Sequence, residues 1–285
     1  MMKEQIIACV DGSPSTMAIC HWGAWVASKL QAPLKLLHTL ETPQTSPQDD
    51  WSGSIGLDSR EELLAELVAL DQQRNRIAQE QSKLLLQAAK QTVLESLGHN
   101  AVPPIKSCQR HGTLLESLCE LEPETRLVIL GRQGEQSSQQ HGQVGSQLES
   151  VVRVLHTPVL MALPEFKAPS KVMFAYDGSV TGRNALKRLS ISPLLQGIPC
   201  HLVMVGGEAE QLAEAQTVLQ QAGIEVQTYA LAGEVEAKLK EHICQEQLDL
   251  VIMGAYGHSR LRQFFLGSHT SRMLSQSPVP LLLLR

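Results

Sequence analysis

A chain of 285 residues, 43% of them hydrophobic and 19% charged, has the make-up of a soluble globular protein with room for about two domains. A net charge of −5 and 4% aromatic residues leave no basic stripe or stacking surface for nucleic acid. The longest apolar tract, residues 279–284, is far too short to span a bilayer, and residues 1–7 lead straight into a strand pattern rather than a signal peptide. Cys9, Cys20, Cys108, Cys119, Cys200 and Cys244 lack zinc-like or CxxC spacing, so a cytoplasmic protein with reduced, buried thiols is expected.

The first apolar run, residues 5–10, reads as a strand ending in Asp11-Gly12-Ser13. A helical pattern follows over 15–30, with Ser13 ahead of Pro14 as the candidate cap. Residues 34–40 read as a second strand, and 42–50 have loop composition. A long helical pattern then runs over 60–97. Between Asp71 and Lys83 its only large apolar residue is Ile77, which predicts a helix that overhangs the sheet and projects or breaks there. Strand patterns at 104–108, 126–130 and 158–163 alternate with helical patterns at 112–121 and 145–155. Residues 164–170 read as a linker.

The order then repeats. Residues 171–176 end in Asp177-Gly178-Ser179, and strand patterns at 201–205, 224–229, 248–253 and 279–284 alternate with helical ones. Such alternation predicts an α/β protein, a doubly wound parallel sheet covered on both faces, in each of two domains, 1–165 and 170–285. The first copy is longer, because 120 positions separate Asp11 from Gly131 but 77 separate Asp177 from Gly254. The excess is a helical insert over about 41–83.

The second copy closes on Gly254-Ala255-Tyr256-Gly257, nine residues, then Gly267-Ser268-His269-Thr270. Glycines bare backbone amides to an anion, and a helix opening at Ser268 offers free N–H groups and a favourable dipole to phosphate. Arg260 and Arg262 stand inside the loop, as phosphate partners or as solvated side chains. Asp177, at the end of a first strand, fits a ribose hydroxyl, a base amino group or Mg²⁺ held against phosphates. His258 and His269 lack a third ligand for a metal, and His38 reads as a satisfied core or crevice histidine.

These motifs resemble the nucleotide-binding signature of universal stress proteins: Gly254-x2-Gly257-x9-Gly267-Ser268, the Asp-Gly-Ser after the first strand, and the closing Pro-Val-Pro-Leu-Leu-Leu-Leu. The chain looks like two such domains in tandem. The resemblance implies a five-stranded, adenine nucleotide alpha hydrolase-like sheet ordered 3-2-1-4-5 in each half, with the fifth strands meeting so that the chain is its own pseudo-dimer. It implies ATP (or AMP or ADP), with Mg²⁺ brought by the nucleotide through Asp177, in contact with Asp177, Val205, Met253, Gly254, Gly257, Gly267, Ser268, His269 and Thr270. A weaker site would use Asp11, Gly131, Gly134, Gly145 and Ser146, where the loop is one residue longer and polar and Thr39 replaces Val205.

Enzymatic motifs are missing: no P-loop, no G-x-G-x-x-G, no nucleophile elbow, no Ser-Gly-Gly-x-Asp-Ser loop, and no Lys in the second glycine loop. The residues therefore favour an ATP-binding stress-response or signalling module with at most slow hydrolysis, free of nucleic acid and membrane and open to homodimer formation. Two readings stand beside it: a slow Mg²⁺-dependent ATPase or phosphotransfer enzyme, and a nucleotide-free interaction protein that docks partners through the long helix.

Overall fold

The computed structural model describes residues 4–40, 57–98, 103–133, 146–255 and 268–285. The first half holds β1 (Gln5–Cys9), α1 (Thr16–Leu30), β2 (Leu34–Leu40), α2 (Leu57–Leu97), β3 (Ile105–His111), α3 (Leu114–Leu121), β4 (Thr125–Gly131), α4 (Ser146–Val154) and β5 (Val159–Ala162). The second holds β6 (Val172–Ala175), α5 (Val180–Ser190), β7 (Cys200–Val205), α6 (Ala209–Gln221), β8 (Val226–Leu231), α7 (Val235–Glu246), β9 (Leu250–Gly254), α8 (Ser268–Gln276) and β10 (Leu281–Leu284).

The strands form one ten-stranded sheet in the order β3-β2-β1-β4-β5-β10-β9-β6-β7-β8. Each half is thus ordered 3-2-1-4-5 with parallel neighbours, and β10 runs antiparallel to β5 with Leu282 opposite Leu160. Strands buried on both faces need apolar residues at every position, which is why they read as unbroken runs. Ile6, Ile7 and Ala8 of β1 and Leu250, Val251 and Ile252 of β9 are all fully buried. Alternate residues feed two cores. Ile6, Phe174, Ile252 and Leu282 pack under α1, α2, α5 and α6. Ile7, Val128, Val251 and Leu283 pack under α3, α4, α7 and α8. Both cores run across the β5–β10 junction.

The linker is anchored at both ends. Phe166 meets Trp22 of α1 edge-on at 5.1 Å and stacks on His21 at 5.4 Å. Lys167 and Ser170 bind Asp249, just ahead of β9.

Two expectations need correction, and a third, for the long helix, narrows to projection. Ser13 does not cap the first helix: α1 starts at Thr16, its N-cap Ser15 makes no side-chain cap, and Ser13 is buried. The Asp11 carboxylate binds the Ser13 amide and the Thr16 hydroxyl, and a Thr16 N–H···O=C Ser13 turn closes first, so the helix begins later. The long helix does not break. α2 is continuous and, among its residues whose side chains are described, is exposed over 66–81 apart from half-buried Ala78 and docks from Ser82 on through Leu86, Ala89, Val93 and Leu97. The thiols are not all buried: Cys9, Cys20 and Cys200 are, but Cys119 and Cys244 are exposed on α3 and α7. Burial pushes the Cys20 and Cys200 thiols up to about 12, so both stay protonated. Among the described residues no helix is long and apolar enough to cross a membrane.

Candidate functional site

β6 and β9 are neighbours, with Ala175 opposite Met253. The chain leaves β6 toward β7 on one side and β9 toward β10 on the other, so strand order reverses between them. A parallel sheet opens a crevice beyond the carboxyl ends of strands at such a point. Asp177 follows β6 by two residues and is exposed, Met253 is buried, and Gly254 ends β9. Val205, half-buried, ends β7 on the far side of β6. Ser268, His269 and Thr270 form the first turn of α8, whose leading N–H groups have no partner within the helix. Gly257, His258, Arg260, Arg262 and Gly267 lie outside the described residues, as do Gly134 and Gly145; Ser146 opens α4.

Both halves build this edge alike. Asp177 Oδ1 accepts from the Ser179 amide at 3.0 Å, and Asp11 Oδ1 accepts from the Ser13 amide at 3.0 Å. A Cβ on Gly254 would lie 3.2 Å from Gly182 N and Thr181 C in the backbone of α5. A Cβ on Gly131 would lie 2.9 Å from the Cβ of Ser15, at the start of α1. The glycine ending each fourth strand therefore lets a helix start pack against the strand end, a requirement separate from ligand approach. His38 is satisfied by the Val10 carbonyl at 2.6 Å, and among the described residues no cluster of three or more metal-binding side chains occurs.

A model of the universal stress protein family matches residues 2–162 and 201–285. The chain belongs to that family. A universal stress protein of Synechocystis sp. is 32% identical over 290 aligned positions, which cover 99% of this chain and 100% of that one. One from Mycobacterium tuberculosis is 26% identical over 183 positions, 62% of this chain and 54% of its own. The crystal structure of a universal stress protein from Archaeoglobus fulgidus shares the fold, with a TM-score of 0.69 at 16% identity over 100% of this chain and 97% of that one.

In this universal stress protein the two crevices differ at the fifth residue past the aspartate. In the first half it is Thr16, whose hydroxyl donates to Asp11 Oδ1 at 3.4 Å, and Asp11 is half-buried. In the second it is Gly182, where any Cβ would overlap Asp177 Oδ1. The Asp177 carboxylate thus rests over the bare first turn of α5, which Ser179 caps by accepting from the Gly182 amide at 3.0 Å. The Gln211 side chain, from α6, lies against Gly178, and Arg183 donates to the Gly178 carbonyl.

Arg132, the residue after Gly131, reaches out of its own half. Its Nη1 donates to the carbonyl of Ser275 in the last turn of α8 at 3.1 Å, and burial lowers its pKa. Arg285 does the reverse, donating to the carbonyls of Leu155 and, at 2.9 Å, Arg153 at the end of α4. Each fourth helix is closed by an arginine from the other half. Sequence reasoning missed Gly182, Gln211 and Arg132. Only Gly182 left a signal, a glycine just inside a capped helix start.

Proposed function

We propose that the second half, residues 170–285, binds an adenine nucleotide, ATP or its AMP and ADP relatives, and that the chain acts as a nucleotide-responsive binding module rather than a fast enzyme. The observation that carries the reading is the placing of Asp177 and Gly254 at the ends of two adjacent strands where strand order reverses, with α8 following Gly254 in the chain and leading on to β10. Polyphosphate would lie along the glycine loop and the first turn of α8, at Gly254, Gly257, Gly267, Ser268, His269 and Thr270. The base would lie by Val205 and Met253. The exposed Asp177 carboxylate suits a ribose hydroxyl or a nucleotide-borne Mg²⁺, since an acid facing phosphate directly would repel it. The first half, residues 1–165, has its aspartate engaged by Thr16 and would be the weaker site, through Asp11, Gly131, Gly134, Gly145 and Ser146.

Calorimetric titration of ATP into the wild type, Gly267→Val and Gly145→Val tests both halves. Saturable binding that Gly267→Val abolishes and Gly145→Val largely keeps is the expected result. No binding of ATP, ADP or AMP to the wild type, or equal binding to Gly267→Val, would overturn the reading.

A further inference from the structure

The part of α2 that leaves the protein carries a second apolar seam. Its docked face is Ser82, Leu86, Ala89, Val93 and Leu97. On another side, Leu67, Leu70, Arg74, Ile77, Gln81 and Leu84 recur at alternating spacings of three and four. That is the heptad pattern of a two-helix seam, with Leu67, Arg74 and Gln81 at one core position and Leu70, Ile77 and Leu84 at the other. The four apolar members are open to solvent, at 56% (Leu67), 56% (Leu70), 48% (Ile77) and 66% (Leu84). An unpacked helix takes little stability from its own backbone, and a leucine seam in water is costly. An ion pair along the exposed stretch, Arg76 with Glu80 at 3.3 Å, is solvated and contributes little.

Charge along the helix says what covers the seam. Residues 66–73 carry two carboxylates and no cation, whereas 74–88 carry three cations and one carboxylate. Arg76 and Lys83 of that basic part, with Glu80 and Lys90, line a groove between α2 and the edge strand β3. Two such helices side by side and parallel would set acidic on acidic and Arg74 on Arg74. Turned antiparallel, they set the acidic stretch of one against the basic stretch of the other, Leu67 opposite Leu84, and Arg74 opposite Ile77 with its charge free to reach outward.

We propose that the exposed seam of α2 is the self-association surface of this protein, and that a second copy of the chain binds it antiparallel through α2. The overlap, over residues 63–88, is about 39 Å of helix at 1.5 Å per residue. Because the contact is built from α2 alone, it does not depend on nucleotide in either crevice.

Sedimentation equilibrium of the full chain over a range of concentrations tests it. The apparent mass should climb from 31.2 kDa toward twice that value. Leu70→Glu, exposed and remote from the core, should hold the chain at the monomer mass with an unchanged near-ultraviolet circular dichroism spectrum. Carbodiimide cross-linking of mixed light and heavy-isotope chains should join Glu66 of one copy to Lys83 of the other. A wild type monomeric throughout, a Leu70→Glu chain that dimerises like the wild type, or cross-links confined within single chains would each overturn the proposal.

Discussion

The carboxylate of Asp177 occupies the space that a Cβ on Gly182 would fill. Gly182 therefore positions the acid that faces the proposed nucleotide, without touching ligand itself. Gly182→Ala should push Asp177 off its resting place and weaken ATP binding roughly tenfold, about 1.4 kcal/mol. The same change adds helix propensity of up to about 1 kcal/mol in the first turn of α5. Calorimetry and thermal unfolding should therefore move in different directions: weaker binding with stability kept or raised. Unchanged affinity would show that Asp177 has no part in the site.

Arg132 and Ser275 join the first half's glycine loop to the helix that opens the proposed phosphate end of the second. A charge-assisted bond to a helix C-terminus, half-buried, contributes about 1–2 kcal/mol. Arg132→Ala should lower the free energy of unfolding by that amount. It should also loosen α8, seen as faster amide exchange over 272–277. Arg132→Lys, which keeps the charge but not the reach of the guanidinium fork, should recover only part of the loss. Exchange in α8 identical to the wild type would show that the contact carries no stability.

Asp249 closes the linker onto β9. Its Oδ2 accepts from the Ser170 amide at 2.8 Å and the Ser170 hydroxyl at 2.6 Å, and Lys167 meets Oδ1. Burial alone would raise its pKa, but the bonds from Lys167, Ser170 and Lys171 outweigh burial and hold it below the usual value. A carboxylate with a depressed folded-state pKa stabilises the fold above its unfolded pKa of about 3.9, and that stability is lost as pH falls through the folded value. Asp249→Ala should therefore cost about 2–3 kcal/mol at pH 7. The gap between variant and wild type should narrow in acid. A gap independent of pH would mean that packing, not charge, holds the linker.

The elements were legible because nearly every strand is buried on both faces, so runs such as Ile6-Ile7-Ala8 and Leu250-Val251-Ile252 stand out without alternation. The overhang of α2 was legible in the polar stretch around Ile77, which gives the sheet no continuous apolar face to pack against. The edge of the candidate site was legible as far as backbone chemistry goes: an acid after one strand, a glycine at the end of its neighbour. What escaped depends on side chains meeting across the fold. That Gly254 must also admit the backbone of Thr181 and Gly182 needs the packing of α5 to be known. The Arg132–Ser275 contact joins residues 143 positions apart, beyond the reach of any local pattern. Ser13 was misread as a cap because the pull of Asp11 on its amide competes with helix initiation and wins.

His201 of β7 and His242 of α7 form the last titratable pair with a predictable consequence. Both are buried, His201 Nδ1 lies 3.1 Å from His242 Nε2, and Tyr229 stacks on His201 at 4.8 Å. Burial lowers both pKa values. For His201 the charge of His242 adds to the fall, Glu246 opposes it and Lys171 adds to it, and for His242 Glu246 opposes it. The native pair thus stays neutral where unfolded histidines, with pKa about 6.5, take up protons. Stability is complete above that pH. It declines as pH drops below about 6.5, because the unfolded state then binds more protons than the native one. Thermal unfolding at intervals from pH 7.5 to 5.5 should show this slope in the wild type. Replacing both rings together, His201→Phe with His242→Leu, leaves neither nitrogen without its partner and should flatten it. Parallel slopes in the two proteins would assign the acid sensitivity to groups elsewhere.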